Sequence, residues 1–111
     1  MKKKLEYVKI PNKFGEYKEV QIISLTEKQL SISILVTDKE LNKIQKEVKF
    51  YRNLISAMQK EDKSNKSLLV SNIKNLQKFL NIEEFLINLQ YSLGIEVIRR
   101  NNEILNTNIT V

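Results

Sequence analysis

The chain has no cysteine and no histidine, and only two glycines and one proline. Without Cys there is no disulfide, no thiolate metal ligand and no thiol nucleophile, and the composition fits a reducing, cytoplasmic setting. Without His the commonest general base and the commonest metal ligand are both missing. Gly15 and Gly94 are too few to build a phosphate-cradling loop or a dinucleotide-binding turn. No serine stands in a G-x-S-x-G turn. No apolar run approaches the roughly 18 residues that a membrane-spanning helix needs. The basic opening MKKKLEYVKIPNKF is interrupted by Glu6, Lys9 and Lys13, so it is not expected to act as a secretory leader. With Lys at position 2 and no Cys, neither N-myristoylation nor prenylation or palmitoylation is expected. Adjacent carboxylates occur at Glu61-Asp62 and Glu83-Glu84. Neighbours on a helix diverge by about 100°, so Glu83 and Glu84 cannot converge on one bond. The expectation is a protein that is not an enzyme and holds neither metal nor cofactor.

What is present is positive charge. Lys and Arg number 19 against 13 Asp and Glu, for a net charge of +6 and a pI near 9.5. That balance favours anionic partners: nucleic acid, a nucleoprotein complex or an acidic protein surface. Sixteen of the cations are Lys, and Ile (14) and Asn (12) are also abundant. An A/T-rich coding sequence would enrich the same three residues, so charge alone does not identify a partner. At 111 residues the chain is read as one domain, long enough to bury roughly two-thirds of its unfolded surface. No period of the solenoid kind repeats.

Local patterns predict an α+β fold. Leu5–Ile10 and Glu16–Leu25 read as strands flanking a turn at Pro11-Asn12-Lys13-Phe14-Gly15. Both slip phase once, at Tyr7/Val8 and Ile22/Ile23, which suggests a bulge or a switch from one-sided to two-sided burial. Leu30, Ile32, Ile34 and Val36 alternate with Ser31 and Ser33, so a third strand would complete an antiparallel three-stranded N-terminal meander over 1–36. Thr37 to Glu40 resembles a capping box opening one long amphipathic helix over 37–60. Its seam is Leu41, Ile44, Val48, Tyr51, Ile55 and Met58, widened by Phe50, Leu54 and Ala57. A polar loop over 61–66 leads to two shorter helices over 67–93, with Leu69, Ile73, Leu76 and Leu80 on one face of the first. The second is capped by Asn81, carries Glu83 and Glu84 in its first turn and stops at Gly94. Residues 95–111, turning at Asn101-Asn102, read as a C-terminal β-hairpin.

Two basic features emerge as candidate binding sites. On the helical wheel of 38–60, Lys39, Lys43, Lys46, Lys49, Arg52 and Lys60 lie opposite the seam with Asn42 and Asn53, and no carboxylate after Asp38 interrupts them. Such a rod could neutralise several phosphates, although a half-buried helix also carries a charged face merely to stay solvated. The second feature is the pair Arg99 and Arg100 in the expected hairpin.

Two helices followed by a hairpin resemble the end of a winged-helix domain. That resemblance implies a DNA-binding transcriptional regulator, with the arginines on the wing and base contacts from positions such as Asn88 and Gln90. Glu83 and Glu84 at the start of the would-be recognition helix oppose it. In size and composition the chain is similar in outline to small accessory proteins of phages and other mobile elements, inhibitors of host defence among them, a likeness that transfers no residue. The leading expectation is a non-catalytic protein that regulates or inhibits a nucleic-acid-processing machine by occupying a surface through its basic face. The alternatives are the winged-helix regulator and a structural subunit, as monomer or homodimer.

Overall fold

The first ordered feature is a β-hairpin set by two turn residues. The structure, a computed structural model, describes residues 2–61 and 65–109, with side chains through 106. Strands β1 (Tyr7–Pro11) and β2 (Tyr17–Gln21) pair antiparallel, with Val8 opposite Val20 and Lys9 opposite Glu19. Asn12 organises the turn: its Oδ1 accepts from the amides of Phe14 (2.9 Å) and Glu16 (3.0 Å). Gly15 completes it at φ +78°, a conformation open to a residue without Cβ. One face of the hairpin carries Val8, Ile10 and Val20 inward, while Tyr7 and Tyr17 stand exposed on the other.

The expected phase slips are strand ends, not bulges. Pairing begins at Tyr7, and at Ile22 the chain leaves the strand for a 3-10 turn, Ile22–Ser24, that buries Ile22 and exposes Ile23. From there the architecture departs from the expected fold. Among the described residues there is no third strand, no second helix break and no C-terminal hairpin: two long helices follow, α1 (Glu27–Lys60) and α2 (Lys66–Ile109).

The segment expected as the third strand is the start of α1. Its cap is Thr26, eleven residues earlier than Thr37. Thr26 Oγ1 accepts from the Gln29 amide (3.1 Å) and Gln29 Oε1 accepts from the Thr26 amide (2.9 Å), a reciprocal capping box. The alternation misleads because the buried stripe here runs Leu30, Ser33, Ile34, Thr37, a helical spacing partly written in small polar residues. Ile32, Leu35 and Val36 face solvent instead.

The two expected shorter helices and the hairpin are one helix. Asn65 caps α2, its Oδ1 accepting from the amides of Ser67 (3.0 Å) and Leu68 (3.3 Å). Asn81 caps nothing: it is exposed within the helix and accepts from Gln77 Nε2 at 3.0 Å, one turn away. Glu83 and Glu84 therefore stand mid-helix, not in a first turn. Gly94 continues the helix, and Asn101 and Asn102 lie exposed along it. Residues 62–64 of the expected loop and 110–111 of the expected hairpin lie outside the described residues.

Two compact units result. The first, Met1–Asp38 with Ile87–Val111, has a core of Val8, Ile22, Leu25, Leu30, Leu89 and Leu93, backed by Leu5, Ile10, Val20, Ile34 and Val97. Burial of each large aliphatic contributes roughly 1.5–3 kcal/mol, and Leu93 is sealed completely. The N-terminal segment is pinned along α2 by its amides, Lys3 to Asn88 Oδ1 (2.9 Å) and Leu5 to Ser92 Oγ (2.6 Å). The second unit, Lys39–Leu86, is an antiparallel helix pair. It closes over Leu41, Val48, Ile55 and Leu86, with Tyr51 stacked on Phe79 at 5.6 Å and Asn72 Nδ2 meeting Met58 Sδ at 3.2 Å.

Gly94 offers a direct check on the helix. Its φ is not positive and a Cβ there would meet nothing within 4 Å. Gly94→Ala is expected to stabilise the protein by roughly 0.5–1 kcal/mol, read as a higher urea midpoint. A helix stop at Gly94 would instead make the substitution destabilising.

Candidate functional site

The basic face lies wholly within the second unit. Leu41, Val48 and Ile55 are buried and Ile44, Tyr51 and Met58 half-buried, which fixes the rotation of α1 about its axis. With the seam inward, Lys39, Lys43, Lys46, Lys49, Arg52 and Lys60 all point to solvent, as do Asn42 and Asn53. At 100° per residue they span about half of the helix circumference. None of the six forms a salt bridge among the described residues, where the ion pairs found lie within 96–103. Glu40 and Glu47 are also exposed, at the border between the arc and the seam. The unit as a whole holds ten Lys and Arg against six Asp and Glu. Its net charge is therefore positive, and six of the ten cations lie on the outer side of α1.

One residue of this face was assigned to the interior by pattern alone. Phe50 is 57% exposed. It follows Lys39, Lys43 and Lys46 at a 4-3-4 spacing, which stacks all four on one strip of helix. The signal was legible in that spacing, but an aromatic beside the Tyr51 seam was read as core.

Comparison with protein-family models, with curated proteins and with solved structures gives no match. The arrangement of the side chains themselves therefore carries the functional argument. Among the described residues no group of three or more Asp or Glu could hold a metal ion, and no helix is long and apolar enough to cross a membrane.

Arg99 and Arg100 sit on α2 in the first unit, not on a hairpin, and are engaged within the fold. Glu96, only 3% exposed, receives both. Arg99 donates through Nε (2.8 Å) and Nη2 (2.7 Å) to its two oxygens, and Arg100 Nε donates at 2.7 Å. Arg99 also reaches Glu103 one turn on. Arg100 then extends Nη2 to the Leu25 carbonyl at 2.7 Å, where the 3-10 turn hands over to α1. The Arg99 side chain remains 44% exposed and that of Arg100 only 15%. The winged-helix reading loses its parts here: there is no wing among the described residues, and Asn88, expected to face bases, is buried beneath Lys3.

The hydrogen bond from Arg99 holds the Glu96 carboxyl at about 2, with Arg100 adding to it and burial opposing. A carboxyl depressed in the folded state stabilises the protein above its ordinary value of 4.5, and that contribution disappears as pH falls toward about 2. The stability gap between wild type and Glu96→Gln should thus narrow as pH is lowered through that window. Urea midpoints measured across it check this, and a constant gap contradicts it. Arg100→Lys keeps the charge but cannot reach Glu96 and the Leu25 carbonyl together. A loss of roughly 1–3 kcal/mol is expected, close to that of Arg100→Ala. Full stability in the lysine variant would show that charge alone suffices.

Proposed function

We propose that this chain is a non-catalytic binding protein that engages nucleic acid through the lysine-rich face of α1 and regulates or blocks the machinery acting there by occupying it. One observation carries this reading: six exposed cations, Lys39, Lys43, Lys46, Lys49, Arg52 and Lys60, lie on one helix face without a paired acid among the described residues. The arginine pair of α2 has no part in it. Each phosphate that a cation neutralises releases condensed counterions, so affinity comes largely from solvent entropy and falls steeply with salt. Five of the six are lysines, which meet phosphate as point charges and read little of base identity. The binding is therefore broad in sequence preference. Occupancy requires complementary charge and shape and no chemistry, which suits a chain without His or Cys.

Charge reversal tests the proposal without disturbing the core, because the residues concerned are exposed. Lys39→Glu, Lys46→Glu and Lys49→Glu combined should abolish binding to oligonucleotides at physiological salt and leave the circular-dichroism spectrum unchanged. Single Lys→Ala variants should each flatten the dependence of log affinity on log salt by about one unit. Retained binding in the triple variant would show that the face is only solvated.

A further inference from the structure

We infer that the face on α1 is built for single-stranded nucleic acid, with Phe50 as the platform on which an unpaired base stacks. The inference rests on the reading just proposed and narrows it to one class of ligand. Phe50, 57% exposed, ends the strip that begins with Lys39, Lys43 and Lys46, so its ring is accessible beside those cations. Its ring is also held. It meets Tyr51 edge to face, centroids 5.3 Å apart at 84°, and Tyr51 lies stacked against Phe79 at 5.6 Å and 24°. Phe50 is thus the outermost member of a three-ring relay that begins between the two helices of the second unit and ends in solvent. An exposed ring braced along one edge loses less conformational freedom when a flat partner settles on it.

The surroundings match that partner. Lys46 lies one turn before Phe50 on the same strip, Lys43 two turns before, and Asn53 nearly one turn after. From Lys39 to Phe50 the strip runs about 16 Å, at 1.5 Å per residue. Cations tracking a backbone beside an aromatic that accepts any base are the components of single-strand binding without sequence preference. A duplex offers the same phosphates, but its base faces are already stacked within the helix, so it engages the lysines and leaves the ring idle. The result is a preference for unpaired strands that originates in one side chain.

Substitution of Phe50, with oligothymidylate and a mixed-sequence duplex as probes, isolates the ring from the charges. Phe50→Ala should weaken oligothymidylate binding on the order of tenfold, leave duplex binding unchanged and preserve the salt slope for both. Because the chain has no tryptophan, Phe50→Trp places a single reporter on the platform. Its fluorescence should be quenched on saturation with oligothymidylate and not on saturation with inorganic polyphosphate, which supplies charge without bases. The inference is overturned if Phe50→Ala binds oligothymidylate as tightly as wild type, or if both ligands quench alike. In those cases the charge-reversal result still decides the broader reading by itself. Failure of both probes to bind at low salt would overturn the two together. A mass in light scattering that falls from dimer to monomer in Phe50→Ala, with oligothymidylate affinity intact, would instead assign the ring to contact with a second copy of the chain.

Discussion

A buried carboxylate cannot remain charged unless something nearby makes up for the water it has lost. Glu96 is nearly sealed, and the two guanidiniums that reach it are therefore committed to their positions. One of them continues to the Leu25 carbonyl and fastens the 3-10 turn to α2. That contact fixes where α1 begins, because Thr26 and its capping box follow at once. It also holds Ile22 and Leu25 against Leu89 and Leu93, the centre of the first unit's core. The hairpin, the turn and two helical segments are in this way keyed to a single acid, and removing either side of such a pair leaves the other unsatisfied.

The same cluster explains why α2 passes through Gly94 instead of ending there. Glu96, Arg99, Arg100 and Glu103 stand three and four residues apart, the spacings at which side chains meet on a helix. In an extended strand the same residues would alternate between faces and could not all converge. Leu93 and Val97 add a buried stripe on either side of the glycine. A glycine in mid-helix costs about 1 kcal/mol relative to alanine, less than these contacts jointly supply.

How much of this was legible in the sequence depended on where helical spacing was spelled in apolar residues. The hairpin around Asn12 and Gly15 and the seam from Leu41 to Met58 could be read directly, since turn chemistry and a 3-4 repeat are local signals. The segment after Thr26 could not, because its buried positions include Ser33 and Thr37 while Ile32 and Val36 supply a false alternation. Residues 95–109 misled for a related reason. A Gly, an Asn pair and β-branched neighbours suggest a hairpin, and only the Glu96–Arg99–Arg100–Glu103 spacing argued for a helix. Of the candidate site, the lysine face followed from the seam, since fixing one side of a rod fixes the other. The tie from Arg100 to the turn did not, because there its partners are backbone carbonyls 75 or more residues away, and a carbonyl leaves no trace in composition.

The fold separates its charges by task. The acid and arginines that stabilise it lie in the first unit, paired at hydrogen-bond distance. The α1 cations lie in the second, where apolar contacts and stacked rings close the helix pair and no ion pair involves those cations among the described residues. Like charges gathered on one rod repel, and repulsion that stabilises nothing is retained at a small cost in helix stability. In the hairpin, by contrast, Lys9 stands directly opposite Glu19, which offsets its charge. On the outer face of α1 no acid from Lys39 onward falls between Arg52 and Lys43 around the wheel, and Asp38, one residue before, accepts from Gln90 Nε2 at 2.9 Å. Crowded cations beside an exposed ring are the features on which the proposed binding of a polyanion with flat bases rests. The binding function proposed for this chain therefore draws on charges that its own fold does not use for stability.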